Sequence, residues 1–406
     1  MIQLLPAKFR LLATYSAIIS IVLFISTHAN AISPTLEEVL NASLTKANQN
    51  KSTNAHQYPA TFKSSSWLAS FPTIGLNYLD SQDIAGASEQ EISLNLPLKS
   101  PFLRSTTAKL SQLNQQAKSI QQDKKKLYFS GLLRETHWNY RLLELRLLQA
   151  NKKRELLEKL CKEYRALFQA NEVEEYALML IEQELSTQML EISELFHQQQ
   201  QWQHRYTSIS GYQSFPQQME ESEIMENDFN TSNHPFIRSL DNRWDQQHLA
   251  FESQGNGENE PWVVSLASKT INNGLFEEQQ FGVNFEIPLT FSKSHKQIDI
   301  NTQTMANSDY YHSLDRMRVE LSSQWSLLQS QQQNINIKHK LLSASANLSK
   351  KIAEQLISLH NEGEISHEVW LRRYLQTIDS QTALAINNLK NKQIKSMLNQ
   401  AAGISL

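Results

Sequence analysis

The sequence predicts a mainly α-helical protein with a small β-part, built from two copies of one plan: a strand hairpin followed by a long helical hairpin. Three observations point to it. Glycine is scarce, with 10 among 406 residues. Residues 105–170 contain no proline and only Gly131, and residues 292–362 contain neither, so nothing interrupts a long helix. Asn171 and Gly363 end these two stretches, and both residue types tolerate the left-handed conformation that stops a helix. Each is followed by a second uninterrupted stretch of equal length, to Gly211 (211 − 171 = 40) and to Gly403 (403 − 363 = 40). Ahead of each long helix the apolar period changes to two, the period of a strand with one apolar face.

Taken in chain order, residues 1–31 have the form of a signal peptide. Lys8 and Arg10 precede the apolar run Leu11–Ile25, and Ala29-Asn30-Ala31 offers a small-x-small cleavage site. Cleavage there makes Ile32 the mature N-terminus. The first repeat is expected over 32–215. It opens with a short helix carrying Leu36, Leu40 and Leu44, followed by a polar segment from Asn48 to Ser66. Strands are predicted at about 67–79 and 89–97. Ile74, Leu76, Tyr78, Ile92, Leu94 and Leu96 fall on one face; Thr73, Asn77, Glu91, Ser93 and Asn95 fall on the other. Pro97 is expected to close the second strand. Helices follow at about 103–170 and 172–210.

Residues 216–234 carry Glu220, Glu221, Glu223, Glu226 and Asp228 and read as an exposed acidic linker across the outside of the structure. The second repeat, 235–406, begins with a helix at about 235–252. Strands are predicted at about 261–268 and 278–288, with Val264, Leu266, Phe281, Val283, Phe285 and Ile287 on the apolar face and Asn284 and Glu286 opposite. The intervening loops are placed at about 79–88 and 269–277. Helices are expected at about 292–362 and 364–402.

A single offset of 192 (363 − 171) relates the copies. It brings Leu160 onto Ile352, Tyr164 onto Leu356, Leu167 onto Leu359, Val173 onto Ile365 and Leu178 onto Trp370. The helices carry mixed three- and four-residue apolar spacing, as in Leu157, Leu160, Tyr164 and Leu167, so their apolar faces are narrow. A helix of about 65 residues is roughly 100 Å long. No single globule buries that length, so the helices must line up in a bundle or tube.

Composition excludes several function classes. A net charge of −3 disfavours nucleic acid. After residue 31 no apolar run is long enough for a spanning helix, so membrane entry requires a closed barrel. Four strands cannot close one alone, since small barrels start at about eight; several copies are needed. Cys161, the one cysteine, forms no intrachain disulfide. The histidines are scattered along polar helices without the spacing of a metal site, and no catalytic constellation is visible. No enzyme activity, cofactor or metal is expected. In a barrel, Ile74, Leu76, Ile92, Leu94, Val264, Leu266, Val283 and Phe285 face lipid.

Pro-Thr-Ile-Gly-Leu at 72–76, Glu-Ile-Pro-Leu at 286–289 and Asn-Glu-Gly-Glu-Ile-Ser at 361–366, with Gly211 and Gly403 as helix ends, resemble the TolC family of outer-membrane efflux proteins. The resemblance implies a homotrimer forming one 12-stranded outer-membrane barrel and one α-helical periplasmic tunnel. It also implies a passive exit duct, a periplasmic adaptor and an inner-membrane efflux transporter as partners, and outer-membrane lipid around the barrel. The helix turns then form the periplasmic tip, with Asn171, Glu172, Gly363 and Glu364 as candidate adaptor-docking residues. Glu368 and Arg372, four apart on one helix face, are the candidate gate. The competing expectation is a structural periplasmic coiled-coil scaffold or adaptor. It would share the helical hairpins and have no use for two lipid-compatible strand pairs.

Overall fold

A computed structural model describes residues 34–54, 65–82, 86–216, 219, 221–222, 224, 229–254, 259–289 and 297–406. The expected signal peptide at 1–31 lies outside the described residues, as do residues 292–296, where the second outgoing helix is expected to begin. The elements run in the order α1 (Leu36–Asn54), β1 (Thr73–Leu79), β2 (Ser88–Leu98), α2 (Pro101–Gln169), α3 (Glu175–Ser210), α4 (Pro235–Gln254), β3 (Trp262–Asn272), β4 (Glu277–Glu286), α5 (Gln297–Asn361) and α6 (His367–Ala401).

The strands form one antiparallel sheet in the order β1-β2-β3-β4, so the central pair joins the two repeats. β1 begins at Thr73, later than the sequence suggests, because Pro72 has no N–H for the ladder. Upstream of it a single bridge, Leu68 to Leu98, touches the sheet. β2 passes through Pro97, which sits opposite Val263, instead of ending there. β3 runs four residues past its expected end. The connection to β4 is accordingly a tight turn in which Asn273 Oδ1 accepts from the backbone N–H groups of Leu275 and Phe276, both at 3.0 Å. The polar residues Lys269 and Thr270 had read as loop; they continue the ladder opposite Gln280 and Gln279.

Ser100 caps α2, accepting from the Leu103 N–H at 3.1 Å, and Pro101 occupies the first helical position. At 69 residues, α2 is about 100 Å long. It packs against α3 and α6, and α6 packs against α5, giving a wall in the order α3–α2–α6–α5. The return helices are shorter, at 36 and 35 residues, and reach about half-way up. Above them α1 packs on α2 and α3, while α4 packs on α2 and α5. The core is accordingly a series of clusters along the wall. One at the turns contains Leu157, Leu160, Tyr164, Leu178, Ile181, Leu356 and Trp370, which unites positions related by the 192-residue offset.

The segment between the repeats differs most from expectation. The residues of it that are described form a packed strap, not an exposed linker. Met219 is buried. Ile224 and Phe229 join the cluster of Trp325, Ile394 and Leu398, with Phe229 stacked on Trp325 at 4.4 Å. Glu221 turns inward and meets Arg134 of α2 in a bidentate ion pair that is almost wholly buried. Its carboxylate also accepts from Ser396 and Asn399 of α6. Arg134 further donates to the Ile404 carbonyl at 2.9 Å and to Gln400. Gly131 belongs to the same junction: a Cβ there would lie 3.0 Å from Gln400 Nε2. A side chain there would crowd the Gln400 amide, which bonds the Leu127 carbonyl and Arg134.

Candidate functional site

The sheet sorts its side chains by face. Its register puts Ile74, Leu94, Leu266 and Val283 in one transverse row. Leu76 and Ile92 continue that face to Phe281, and Leu96 and Val264 continue it to Phe285. Most of these side chains are exposed, Leu76 by 77% and Phe281 by 82%, while Leu94, Leu96 and Val264 are half-buried. The opposite face carries the row Thr73–Asn95–Ser265–Asn284 and the row Asn77–Glu91–Lys269–Gln280. Lys269 pairs with Glu89 there at 2.6 Å. Each predicted lipid-facing residue thus lies on the apolar face. β1 and β4 are the sheet's edges, each with one unpaired side among the described residues.

At the other end, the two turns are built alike. After α2, the N–H groups of Asn171 and Glu172 donate to the carbonyls of Phe168 and Leu167. After α5, those of Gly363 and Glu364 donate to His360 and Leu359, the same bonds displaced by 192 (363 − 171). Asn171 holds φ 57° and Gly363 φ 73°, the left-handed cap. The turn uses the next residues as well, so α3 and α6 start at Glu175 and His367, three residues beyond the expected starts. Ser366 caps α6 by accepting from the Val369 N–H. Because a β-carbon strains this conformation, Gly363→Ala is expected to lower stability by about 1 kcal/mol, whereas Asn171→Gly leaves it equal or slightly higher. Thermal unfolding of the two variants beside the parent checks this.

Glu368 and Arg372 form an ion pair at 2.8 Å on α6, both ends exposed. They line a groove with Leu180 and Glu184 of α3 and Lys153 of α2. Lys153 and Gln149 both bond Asp379 at 2.6 Å, which fixes α6 to α2 beside that groove. An apolar groove of about 410 Å³ lies between the turns, lined by Tyr164, Val173, Tyr176, Leu180 and Leu371. His360 stacks on Trp370 at 4.5 Å and covers the cluster from the α5 side. Among the described residues there is no group of His, Cys, Asp and Glu able to hold a metal, and no helix long and apolar enough to cross a membrane.

No protein-family model matches the sequence, and no curated protein is similar to it. Solved structures are similar. The CmeC outer membrane channel of Campylobacter jejuni shares 14% identity, with a TM-score of 0.61 over 90% of this chain and 82% of that one. CusC, described for transmembrane channel formation, shares 12% identity, with a TM-score of 0.63 over 92% and 93%. The outer membrane protein VceC of Vibrio cholerae shares 11%, with a TM-score of 0.59 over 90% and 91%. The chain has the outer-membrane channel fold. At these identities the likeness extends to the fold and not to any partner or cargo.

Within that channel fold, two groups of residues carry structure that sequence reasoning missed. The Arg134–Glu221 junction joins positions 87 apart through a run of acids that read as solvated. His137, which the sequence places among histidines scattered along polar helices, is nearly inaccessible, and so is His234, for which the sequence offers no separate reading. The available signal for the first was Gly131, the lone glycine in the first outgoing helix.

Proposed function

We propose that the chain is the outer-membrane channel of an efflux system, a homotrimer whose barrel crosses the outer membrane and whose helices form a periplasmic exit duct. The observation that carries this reading is the sheet. It has an apolar outer face, a polar inner face, two open edges, and stands on a wall about 100 Å long. Sheet edges are not tolerated in lipid, so β4 of one copy must pair with β1 of the next. Three copies of four strands make the twelve-stranded closure. The outer helices support the same closure: α3 exposes Tyr176, Met179, Met189 and Phe196, while α5 exposes Leu327, Ile337, Leu341 and Leu348. These stripes on the two ends of the wall meet when copies close into a tube.

In this assembly the six turns of a trimer point away from the barrel. They present Asn171, Glu172, Gly363 and Glu364 to a periplasmic adaptor, which passes cargo from an inner-membrane efflux transporter. The channel itself performs no chemistry and moves cargo passively. Glu368 and Arg372 serve as the gate. One exposed pair contributes only about 0.2–1 kcal/mol, but three symmetric copies act on one closed state. Arg372→Glu is expected to raise single-channel conductance in planar bilayers without lowering trimer yield. Unchanged conductance in Arg372→Glu and in Glu368→Arg removes the pair from the gate.

The channel reading itself is tested by extraction and native mass. The protein should resist alkali and high salt, dissolve in detergent, and have the mass of three chains. A monomer released by alkali would instead identify a periplasmic scaffold.

A further inference from the structure

The strap between the repeats begins and ends at a buried histidine. His137 of α2 lies 4% exposed against Phe215, at 5.8 Å between ring centroids, where the chain leaves α3 for the strap. Tyr206 and Tyr140 stack on the other sides of Phe215 at 4.0 and 4.3 Å. Arg141, one turn on, reaches the Pro216 carbonyl at 3.4 Å. His234 closes the strap at 2% exposure. It stacks on Phe236 at 5.3 Å, and its ring lies against Gly403, where a Cβ would stand 2.7 Å from Cδ2. Between the two, the Arg134–Glu221 pair fixes the middle of the strap.

Among the described residues neither imidazole has a carboxylate partner. His137 Nδ1 is buried with no hydrogen-bond partner, and Arg141 is the charged group that acts on it. Among the described residues, the other titratable groups around Phe215 are Tyr140, Tyr206 and Tyr212. Arg141 itself pairs with Glu144 at 2.7 Å. His234 Nδ1 accepts from the Phe236 N–H at 3.2 Å, a bond that a protonated ring would lose. The cation Lys124 lies 5.1 Å from the Phe236 ring centroid, and Asp123 on the same helix is engaged by Arg238 at 3.2 Å.

We infer that the strap is an acid-sensitive clasp: protonation of His137 and His234 loosens the collar that binds α2, α5 and α6 together at mid-wall. Burial, with Arg141 also acting on His137, holds both rings down to about 4 from the usual 6.5. The folded state therefore binds fewer protons than the open one between those limits. The clasp is at full strength above pH 6.5 and weakens as pH falls toward 4. Glu221 works in a lower window, because its carboxylate is held below its ordinary range.

The inference concerns contacts inside one chain and stands apart from the channel reading. The test places a thiol in the strap by Met219→Cys, with native Cys161 as a buried reporter in the cluster at the turns. Detergent-extracted protein is reacted with a dipyridyl disulfide at pH 7 and pH 5, each rate normalised to free cysteine. The introduced thiol should react at least about tenfold faster at pH 5, while Cys161 stays protected. In a His137→Leu, His234→Asn background the acid response should disappear. His137→Gln with His234→Asn serves if leucine impairs folding. An unchanged rate overturns the clasp. Parallel labelling of Cys161 overturns it in favour of general unfolding. An acid response that persists without the histidines overturns their role.

Discussion

Glu221→Gln is expected to lower stability by about 3 kcal/mol, a large effect for one side-chain atom changed. The reason is what remains behind. Arg134 is 2% exposed, and both oxygens of Glu221 are occupied, by Arg134, Ser396 and Asn399. An amide at this position turns an N–H₂ toward a guanidinium that has no water to face. Burial works to raise the Glu221 pKa, but the hydrogen bonds and charge of Arg134, with Ser396 and Asn399, offset it and leave the group below 4.5. Its contribution is present above that value and is lost as pH falls through the lowered one. Arg134→Met with Glu221→Met removes both charges together and should recover most of the loss. The check is the thermal midpoint of the detergent-solubilised protein for the two single variants and the pair. A single variant with an unchanged midpoint would show that the strap is not clamped by this pair.

This junction also marks where the sequence stops being readable. The turns were legible because stopping a helix needs a left-handed residue: Gly363 stands alone in a long uninterrupted stretch, and Asn171 lies at the matching position of the first copy. Their surroundings were less so. A five-residue turn, 170–174 and 362–366, uses positions that helical periodicity assigns to the return helix, and the starts moved to Glu175 and His367. The strand faces were legible from alternation alone, since period two leaves each side chain one choice of face. Strand ends were not, because Lys269 and Thr270 are polar yet remain in the ladder where the sheet leaves the apolar band. Glu368 and Arg372 were legible as an i, i+4 pair, a contact set by one helix. Arg134 and Glu221 depend on where two distant segments cross, and no local period reports that. The sequence around Glu221 shows five acids, and nothing in that local run marks Glu221 as a residue that turns in.

Arginine placed in the sheet is expected to separate its two faces. Ile74, Leu94, Leu266 and Val283 lie in one transverse row, so Leu94→Arg and Val283→Arg sit at the same depth. In a lipid-embedded barrel each should cost about 2–4 kcal/mol per copy near the midplane, because a lipid-facing guanidinium has no water or counter-charge. Asn95 and Asn284 belong to the adjacent row, one residue along, on the opposite face with Thr73 and Ser265. The change in depth is about 3.4 Å, too small to account for a large difference. Asn95→Arg and Asn284→Arg therefore test face and not depth, and should cost well under 1 kcal/mol while altering ion selectivity in planar bilayers. Because Leu94 and Val283 come from different repeats, equal penalties at both also test that β2 and β4 share one lipid-facing surface. The measurement is denaturant unfolding of the assembled protein in lipid vesicles, with trimer yield followed on heat-sensitive gels. A soluble sheet would respond by burial alone, and Val283 at 61% exposure would then tolerate arginine as readily as Asn284. Equal effects on the two faces would remove the barrel, and with it the exit-duct reading.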